Sequence, residues 1–163
     1  EAGDLDSHVE LDAQMVRNYL RMEIDRINLR SVFLHLMLDN GETLPAESLL
    51  PEGLLTVPFL TELAAAGGIA AAVERVGTTP YRDTVEELYP ILQTGRFAPV
   101  ERFLERMIML EVRRMARRDV LRVGVVMDFV WLKFNEVVNL RLIARGLAGN
   151  LPTGRVREEL NFS

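Results

Sequence analysis

One internal repeat constrains the fold of this chain more than any other feature. Residues 23–33 read EIDRINLRSVF and residues 134–144 read FNEVVNLRLIA, and their acidic, Asn-Leu-Arg and β-branched positions coincide at a constant offset of 111 residues. A Leu-Pro pair follows each copy, at 44–45 and at 151–152, so the first copy is longer by four residues, about one helical turn. Repeated units of this kind bury their apolar faces against one another, which predicts two related helical modules.

The repeat places a set of polar groups inside the helices of both modules. In each copy the carboxylate and the amide lie three residues apart on one helix face, whereas the arginine points elsewhere, so we predict that it bonds another helix or the following loop. Buried polar groups are normally hydrogen-bonded for stability alone, and once bonded they fix one packing arrangement. We therefore favour a structural role over a ligand site. The residues of this predicted structural motif are Asp25, Asn28, Arg30, Glu136, Asn139 and Arg141.

Helical periodicity recurs along the chain, and no stretch shows convincing period-two alternation, which predicts an all-α fold. We divide the chain into one module over 1–75 and a second over 76–163. The predicted elements are a long helix over 11–38, a loop with short helical pieces over 40–58, a helix over 59–76 broken at Gly67-Gly68, a helix from Thr79-Pro80 to Gln93, a helix over 98–118, a central helix over 120–147 and a short helix over 152–160.

Composition excludes several classes of protein. The chain has 48% hydrophobic and 26% charged residues, which is ordinary globular usage, and its net charge of −5 argues against a nucleic-acid partner. The absence of cysteine removes disulfides, iron–sulfur clusters and thiolate zinc sites. The most apolar run, 120–132, is shorter than the roughly 20 residues that a membrane-spanning helix needs, so no direct membrane span is predicted. The chain begins at Glu1 with neither an initiator methionine nor a leader, as we expect of a fragment and not of a secreted precursor.

No constellation of residues predicts catalysis. The two histidines, His8 and His35, stand far apart without metal-ligand spacing, and there is neither a Gly-x-Ser-x-Gly turn nor a phosphate-binding loop. We therefore predict no catalytic, cofactor-binding or metal site. One basic cluster could meet an anionic surface, but arginines near a helix C-terminus more often stabilise the exposed carbonyl groups there. It consists of Arg113, Arg114, Arg117, Arg118 and Arg122.

The second repeat carries a family resemblance. Residues 133–146, KFNEVVNLRLIARG, followed by Leu151-Pro152 and by RVREEL at 155–160, are similar to the C-terminal signature of the C subunit of V/A-type ATPases. Upstream segments resemble the same family in the same order, and the resemblance covers nearly the whole chain. These segments are GTTPY at 77–81, the helix over 100–118, and RRD at 117–119 leading into VGVV at 123–126.

The resemblance implies a funnel-shaped, non-catalytic protein of three related helical modules, whose eukaryotic counterpart is the d subunit of the V-ATPase. Such a protein is a central-stalk socket at the cytoplasmic face of the membrane, where it couples the rotating shaft to the membrane rotor ring and binds no nucleotide. The implied partners are therefore the central shaft subunits and the rotor ring. Since this chain shows only two copies of the repeat, we expect the N-terminal module to be missing and the surface that it would cover to be exposed and apolar.

Two other interpretations stay open at the level of sequence. One is a generic all-helical protein-interaction scaffold, unrelated to ATPases. The other is a helical-bundle enzyme that pairs the carboxylates of Asp25 and Glu136 around metal ions, although the Glu-x-x-His motifs that usually accompany such sites are absent.

Overall fold

The computed structural model describes the backbone of residues 2–38, 42–118 and 123–160. Within these ranges every regular element is a helix and no strand occurs, so the all-α prediction is confirmed. The α-helices are α1 (Ala2–Leu38), α2 (Val57–Ala64), α3 (Ile69–Val76), α4 (Val85–Gln93), α5 (Phe97–Arg118), α6 (Val123–Ala148) and α7 (Thr153–Glu159).

Helix α1 is the longest element, and it starts nine residues earlier than the periodicity predicts. Its 37 residues span roughly 55 Å, at about 1.5 Å for each residue. No glycine or proline interrupts it after Gly3, and one face is closed off from solvent by the residues that follow it in the chain. The apolar members of this buried face are Met22, Leu29, Val32 and Phe33.

The predicted break at Gly67-Gly68 is confirmed, and it separates two short helices that pack against α1. Helix α2 begins after Thr56, whose hydroxyl oxygen accepts the backbone N–H of Phe59, and Pro58 occupies its first turn, where its missing N–H costs nothing. Gly68 adopts a φ of 114°, a conformation that favours glycine, and α3 starts directly after it. The two helices therefore form a compact hairpin over α1.

The predicted start of the next helix at Thr79-Pro80 is wrong. The hydroxyl of Thr79 donates backwards to the carbonyl of Val76 at 2.6 Å and accepts the N–H of Tyr81 at 3.2 Å, so it closes a turn after α3 and does not cap a new helix. A short 3₁₀ turn over Arg82–Thr84 follows, and α4 begins only at Val85. The predicted end is confirmed: α4 stops at Gln93, and Gly95 with a φ of 66° turns the chain into α5.

The chain divides into two compact units, Glu1–Ile108 and Met109–Ser163. The division falls within α5 and follows spatial packing, whereas the predicted modules over 1–75 and 76–163 follow the sequence repeat, so those module boundaries stay a prediction. In the second unit α7 packs on α6. A Cβ at Gly146 of α6 would lie 2.4 Å from Cγ2 of Val156 in α7, so the close approach of these helices depends on that glycine.

The prediction that the apolar first half of α6 makes it a central helix is wrong. Val126, Phe129 and Val130 are exposed, because α6 buries a narrow stripe that does not include them. That stripe contains Gly124, Asn135 and Gly146, which recur every 11 residues, about three helical turns. Among the described residues, no helix combines the length and the apolar character needed to cross a membrane.

Candidate functional site

The carboxylate of Asp25 is the most constrained polar group that the structure describes. Its side chain is fully buried on α1 and faces the loop over residues 49–56. The backbone N–H groups of Leu54 and Leu55 donate to it at 3.1 and 3.0 Å, and the hydroxyl of Tyr81 donates at 2.7 Å. We call this arrangement of Asp25, Tyr81 and the two backbone N–H groups the Asp25 clamp. It ties α1 to a loop and to the turn before α4.

Gly53 lets the loop approach the clamp. A Cβ atom at this position would lie 2.1 Å from Oδ1 of Asp25, far inside van der Waals contact. The guanidinium of Arg21, one turn earlier on α1, donates to the carbonyl of Gly53 at 3.1 Å and holds the same peptide from the other side. The loop therefore has space for glycine alone at this point.

Asn28 fixes the loop at a second point, one turn along α1 from Asp25. Its side-chain amide donates to the carbonyl of Leu50 at 2.8 Å and its side-chain oxygen accepts the N–H of Leu50 at 2.8 Å. The side-chain amide of Asn28 thus pairs with the backbone of Leu50 in the way that a neighbouring β-strand would. Both the N–H and the C=O of Leu50 are therefore hydrogen-bonded. The carboxylate and the amide of the first repeat do share a face, and both bind the loop.

Arg30 points away from this face, and the prediction that the arginine of the repeat bonds another helix or the following loop is confirmed for this copy. Its guanidinium donates to Glu101 of α5 at 2.6 Å and lies over the ring of Phe97, 5.3 Å from the ring centroid. Both charged side chains are partly exposed, so the pair contributes less than about 1 kcal/mol to stability. The contact orients α5 against α1 more than it stabilises the first unit.

Two carboxyl groups of the first unit have perturbed pKa values. Burial raises the pKa of Asp25 above its usual value. The hydroxyl of Tyr81, the backbone N–H groups of Leu55 and Leu54 and the positive charge of Arg21 lower this pKa, but they do not offset the effect of burial. Burial also raises the pKa of Glu105 on α5. For Glu105 the positive charge of Arg26 lowers the pKa, and nearby carboxylates raise it further. Both groups are therefore more easily protonated in the folded chain than in water.

The second repeat places its polar residues differently. Glu136 is exposed and pairs with Lys133, three residues earlier on α6, at 2.8 Å. Arg141 is exposed as well, and Asn139 is partly buried. Asp25 and Asn28 thus bind one neighbouring loop and Arg30 binds α5, whereas Glu136 bonds within its own helix. The role of all six residues as a structural motif stays a proposal.

The surroundings of the Asp25 and Glu136 carboxylates offer few free ligands to a metal ion. Donors of the first unit occupy both oxygens of Asp25, and the described residues contain no group of three or more histidine, aspartate or glutamate side chains able to hold a metal. His35 is partly buried on α1, while the side chain of His8 lies outside the described part of the chain. The paired-carboxylate enzyme hypothesis has no support from this arrangement.

Two members of the basic cluster are engaged locally. Arg113 lies 3.4 Å from Asp128, and Arg114 bonds Glu111 at 2.5 Å. Arg117 is exposed, and the side chains of Arg118 and Arg122 lie outside the described residues. Both contacts are with carboxylates, so the predicted role of this cluster at the exposed carbonyl groups of the helix C-terminus stays a prediction.

Sequence reasoning misses Tyr81, Gly53 and the backbone donors of the loop. Tyr81 lies 56 residues from Asp25, and its sequence context, Thr-Thr-Pro-Tyr, gives no sign of its partner. Gly53 reads from the sequence only as a helix breaker. The signal that could have found it is the Leu-Leu-Pro-Glu-Gly-Leu-Leu segment over 49–55, where one glycine stands among residues large enough to be buried.

Comparison with known proteins reveals relatives of one kind. The chain is 29% identical over 150 residues to the C subunit of the V-type ATP synthase of Thermus thermophilus, covering 92% of this chain and 43% of that protein. It is 23% identical over 141 residues to the C subunit of the A-type ATP synthase of Pyrococcus horikoshii, covering 86% of this chain and 38% of the relative. The chain therefore spans less than half the length of these curated relatives. No solved structure matches it.

The model of one protein family, ATP synthase (C/AC39) subunit, matches residues 4–159. That range includes both copies of the repeat and all residues of the Asp25 clamp. The resemblance of the sequence to the C subunit of V/A-type ATPases is thus confirmed over nearly the whole chain, and the chain belongs to the ATP synthase (C/AC39) subunit family.

Proposed function

We propose that this chain acts as a non-catalytic central-stalk part of a rotary V/A-type ATPase, at the cytoplasmic face of the membrane. In this role it is a socket that couples the rotating shaft to the membrane rotor ring, during either ATP-driven ion transport or ATP synthesis. The observation that carries the proposal is the family match over residues 4–159, together with relatives named as the C subunits of V-type and A-type ATP synthases.

The geometry of the first unit supports a mechanical role. A part that transmits torque must resist deformation, and buried polar groups that are fully hydrogen-bonded rigidify the packing around them. Asp25 and Asn28 hold one loop at two points, and Arg30 links α1 to α5. A long helix braced in this way suits a rigid adaptor.

The state of the clamp also supports a role without catalysis. A general acid or base must reach a substrate, and a metal ligand needs a free lone pair in an accessible position. The carboxylate of Asp25 is buried and already accepts hydrogen bonds from three donor groups. Glu136 is exposed on the surface of α6 and pairs with Lys133 of the same helix.

An affinity experiment tests this function. The tagged chain is incubated with detergent-solubilised membranes of its source organism, and bound proteins are identified by mass spectrometry. We expect shaft and rotor-ring subunits of the ATPase to be enriched over a tagged helical protein of similar size and charge. A useful second sample is the Arg30→Ala variant, which loosens α5 from α1 while leaving the Asp25 clamp intact.

Recovery of neither the shaft nor the ring would contradict the proposal. Recovery of unrelated soluble proteins in place of ATPase subunits would support the generic helical scaffold, the competing interpretation. Recovery of the shaft without the ring would keep the family role but restrict this chain to one side of the coupling.

A further inference from the structure

One bend of the first unit has a backbone conformation that its sequence disfavours. We call residues 50–53 the Glu52 bend. Glu52 adopts a φ of 70°, in the left-handed region where a side chain crowds the backbone and glycine is favoured. Glu52 and the preceding Pro51 are exposed, and Leu50 is 41% exposed. The tip of the bend is therefore both strained and open to solvent.

Side chains of α1 fix both ends of this bend. Asn28 binds the N–H and the C=O of Leu50 at one end, and Arg21 donates to the carbonyl of Gly53 at the other. The Asp25 clamp holds the backbone directly after the bend. A loop that a rigid helix anchors on each side presents its tip in one orientation, as binding loops do.

The side chain of Glu52 contributes nothing to this anchoring. In the part of the chain that the structure describes, no hydrogen bond or ion pair involves its carboxylate, and the anchors bind the backbone of its neighbours. Glycine at this position would keep every anchor and remove the strain. Strained backbone conformations that their surroundings hold in place recur at functional sites. Folding of the first unit alone favours glycine here, which leaves binding as the role of the glutamate.

The charge of the first unit indicates what kind of surface would bind there. The unit Glu1–Ile108 contains 18 acidic and nine basic residues. An excess of negative charge attracts a positively charged partner, and it repels anionic lipid headgroups and nucleic acids. The tip of the bend offers such a partner a carboxylate for a guanidinium or ammonium group, with the apolar side chain of Leu50 beside it.

We propose that the Glu52 bend docks on a basic surface of another protein. The carboxylate of Glu52 pairs with an arginine or lysine of that surface, and Leu50 packs on the apolar surface beside it. The backbone of the bend is fixed before binding, so docking loses little conformational entropy. This inference rests on the proposed function, because in that role the basic surface belongs to the ATPase subunits that the chain binds.

Quantitative affinity capture tests this surface. The tagged chain and its variants are incubated with detergent-solubilised membranes of the source organism, and the shaft and rotor-ring subunits that they retain are measured by mass spectrometry. Glu52→Lys reverses the charge of the tip and is expected to lower this recovery about tenfold. Glu47→Lys is the matched control, because it makes the same charge change at an exposed glutamate earlier in the same loop. We expect it to leave recovery within about twofold of the unsubstituted chain.

A second variant, Glu52→Gly, separates binding from folding. It removes the carboxylate and the backbone strain together. Recovery of the ATPase subunits is therefore expected to fall about fivefold, while the Tm of the chain rises by about 2 °C. If Glu52 served the fold alone, this substitution would change the Tm without changing the recovery.

Three results would overturn the docking role of the bend and leave the proposed function intact. One is equal recovery of ATPase subunits by Glu52→Lys and by the unsubstituted chain. Another is a loss for Glu47→Lys as large as that for Glu52→Lys, which indicates general attraction to an acidic unit. The third is a dimer, measured by sedimentation, that only Glu52→Lys dissociates, because a second copy would then be the occupant. Recovery of no ATPase subunit by the unsubstituted chain contradicts the proposed function and, with it, the partner named here.

Discussion

The repeat segments of α1 and α6 make an instructive pair because they share a sequence pattern and differ in the contacts and exposure of their carboxylates. In α1 the carboxylate is buried under a loop, the amide pairs with a peptide group and the arginine reaches a second helix. In α6 the carboxylate is exposed beside a lysine of its own helix. The motif therefore does not determine its own burial. The segment that packs on it does, and the stability of the first unit depends on that segment.

The largest difference between the copies is expected from truncating their carboxylates. Asp25→Ala leaves the backbone N–H groups of Leu54 and Leu55 and the hydroxyl of Tyr81 without an acceptor, which costs about 3–5 kcal/mol of unfolding free energy. Glu136→Ala removes only an exposed pair with Lys133 and costs less than about 1 kcal/mol. Urea unfolding followed by circular dichroism measures both. Equal losses for the two variants would remove the basis of the comparison.

A smaller effect is expected from closing the space beside the clamp. Gly53→Ala places a methyl group against Oδ1 of Asp25 and forces the loop away from α1, at a cost of about 3 kcal/mol. Gly67→Ala is the matched control, since a Cβ there meets nothing within 4 Å and its φ is not positive. Thermal unfolding of the two variants separates them. A Gly53→Ala protein as stable as the control would show that the loop does not sit against the carboxylate.

Removing one donor of the clamp should have a still smaller effect. Tyr81→Phe deletes a buried hydrogen bond to a carboxylate, at a cost of about 1.5–2 kcal/mol near neutral pH. Donation by Tyr81 lowers the pKa of Asp25, so its stabilisation requires ionised Asp25 and is lost as pH falls through that pKa. Unfolding free energies of both proteins across the acidic range test this. If Tyr81→Phe lowers the unfolding free energy by the same amount at low pH as near neutral pH, Tyr81 does not act through ionised Asp25.

The smallest effect is expected at Glu105, which lies on α5 and is not part of the Asp25 clamp. Burial raises its pKa above that of the unfolded chain, so ionised Glu105 lowers stability at neutral pH, and this cost disappears as pH falls through the folded pKa. Glu105→Gln should therefore stabilise the chain by less than about 1 kcal/mol near pH 7 and by nothing at low pH. Comparison of urea midpoints at both pH values checks the sign. Destabilisation near pH 7 would indicate that Glu105 is held by favourable ion pairs.

Much of the fold could be predicted from the sequence, because helical periodicity and helix breakers are local signals. The all-α class, the break at Gly67-Gly68 and the stop before Gly95 depend on such signals. The start of α4 could not be predicted, since the hydroxyl of Thr79 can serve the helix before it or the helix after it. The burial of α6 could not be predicted for a related reason: periodicity shows that a face is apolar, not whether another segment covers it.

The candidate site was predictable to the extent that its residues stand within one helix. The repeat identified Asp25, Asn28 and Arg30 and the direction of the arginine. It could not identify Tyr81 or the backbone of Leu54 and Leu55, because these partners lie 56, 29 and 30 residues away and bind through an irregular loop. The amino-acid sequence does not show which backbone N–H groups will bind a given side chain, so only the folded structure identifies these donors.

Amide hydrogen exchange of the intact chain tests the central claim most directly. The N–H groups of Leu50, Leu54 and Leu55 stand in a loop but donate to Asn28 and Asp25. The account predicts that these three amides exchange as slowly as those of the middle of α1, and that Asp25→Ala releases the amides of Leu54 and Leu55 first. Exchange of all three at the rate of an open loop in the unsubstituted chain would contradict it.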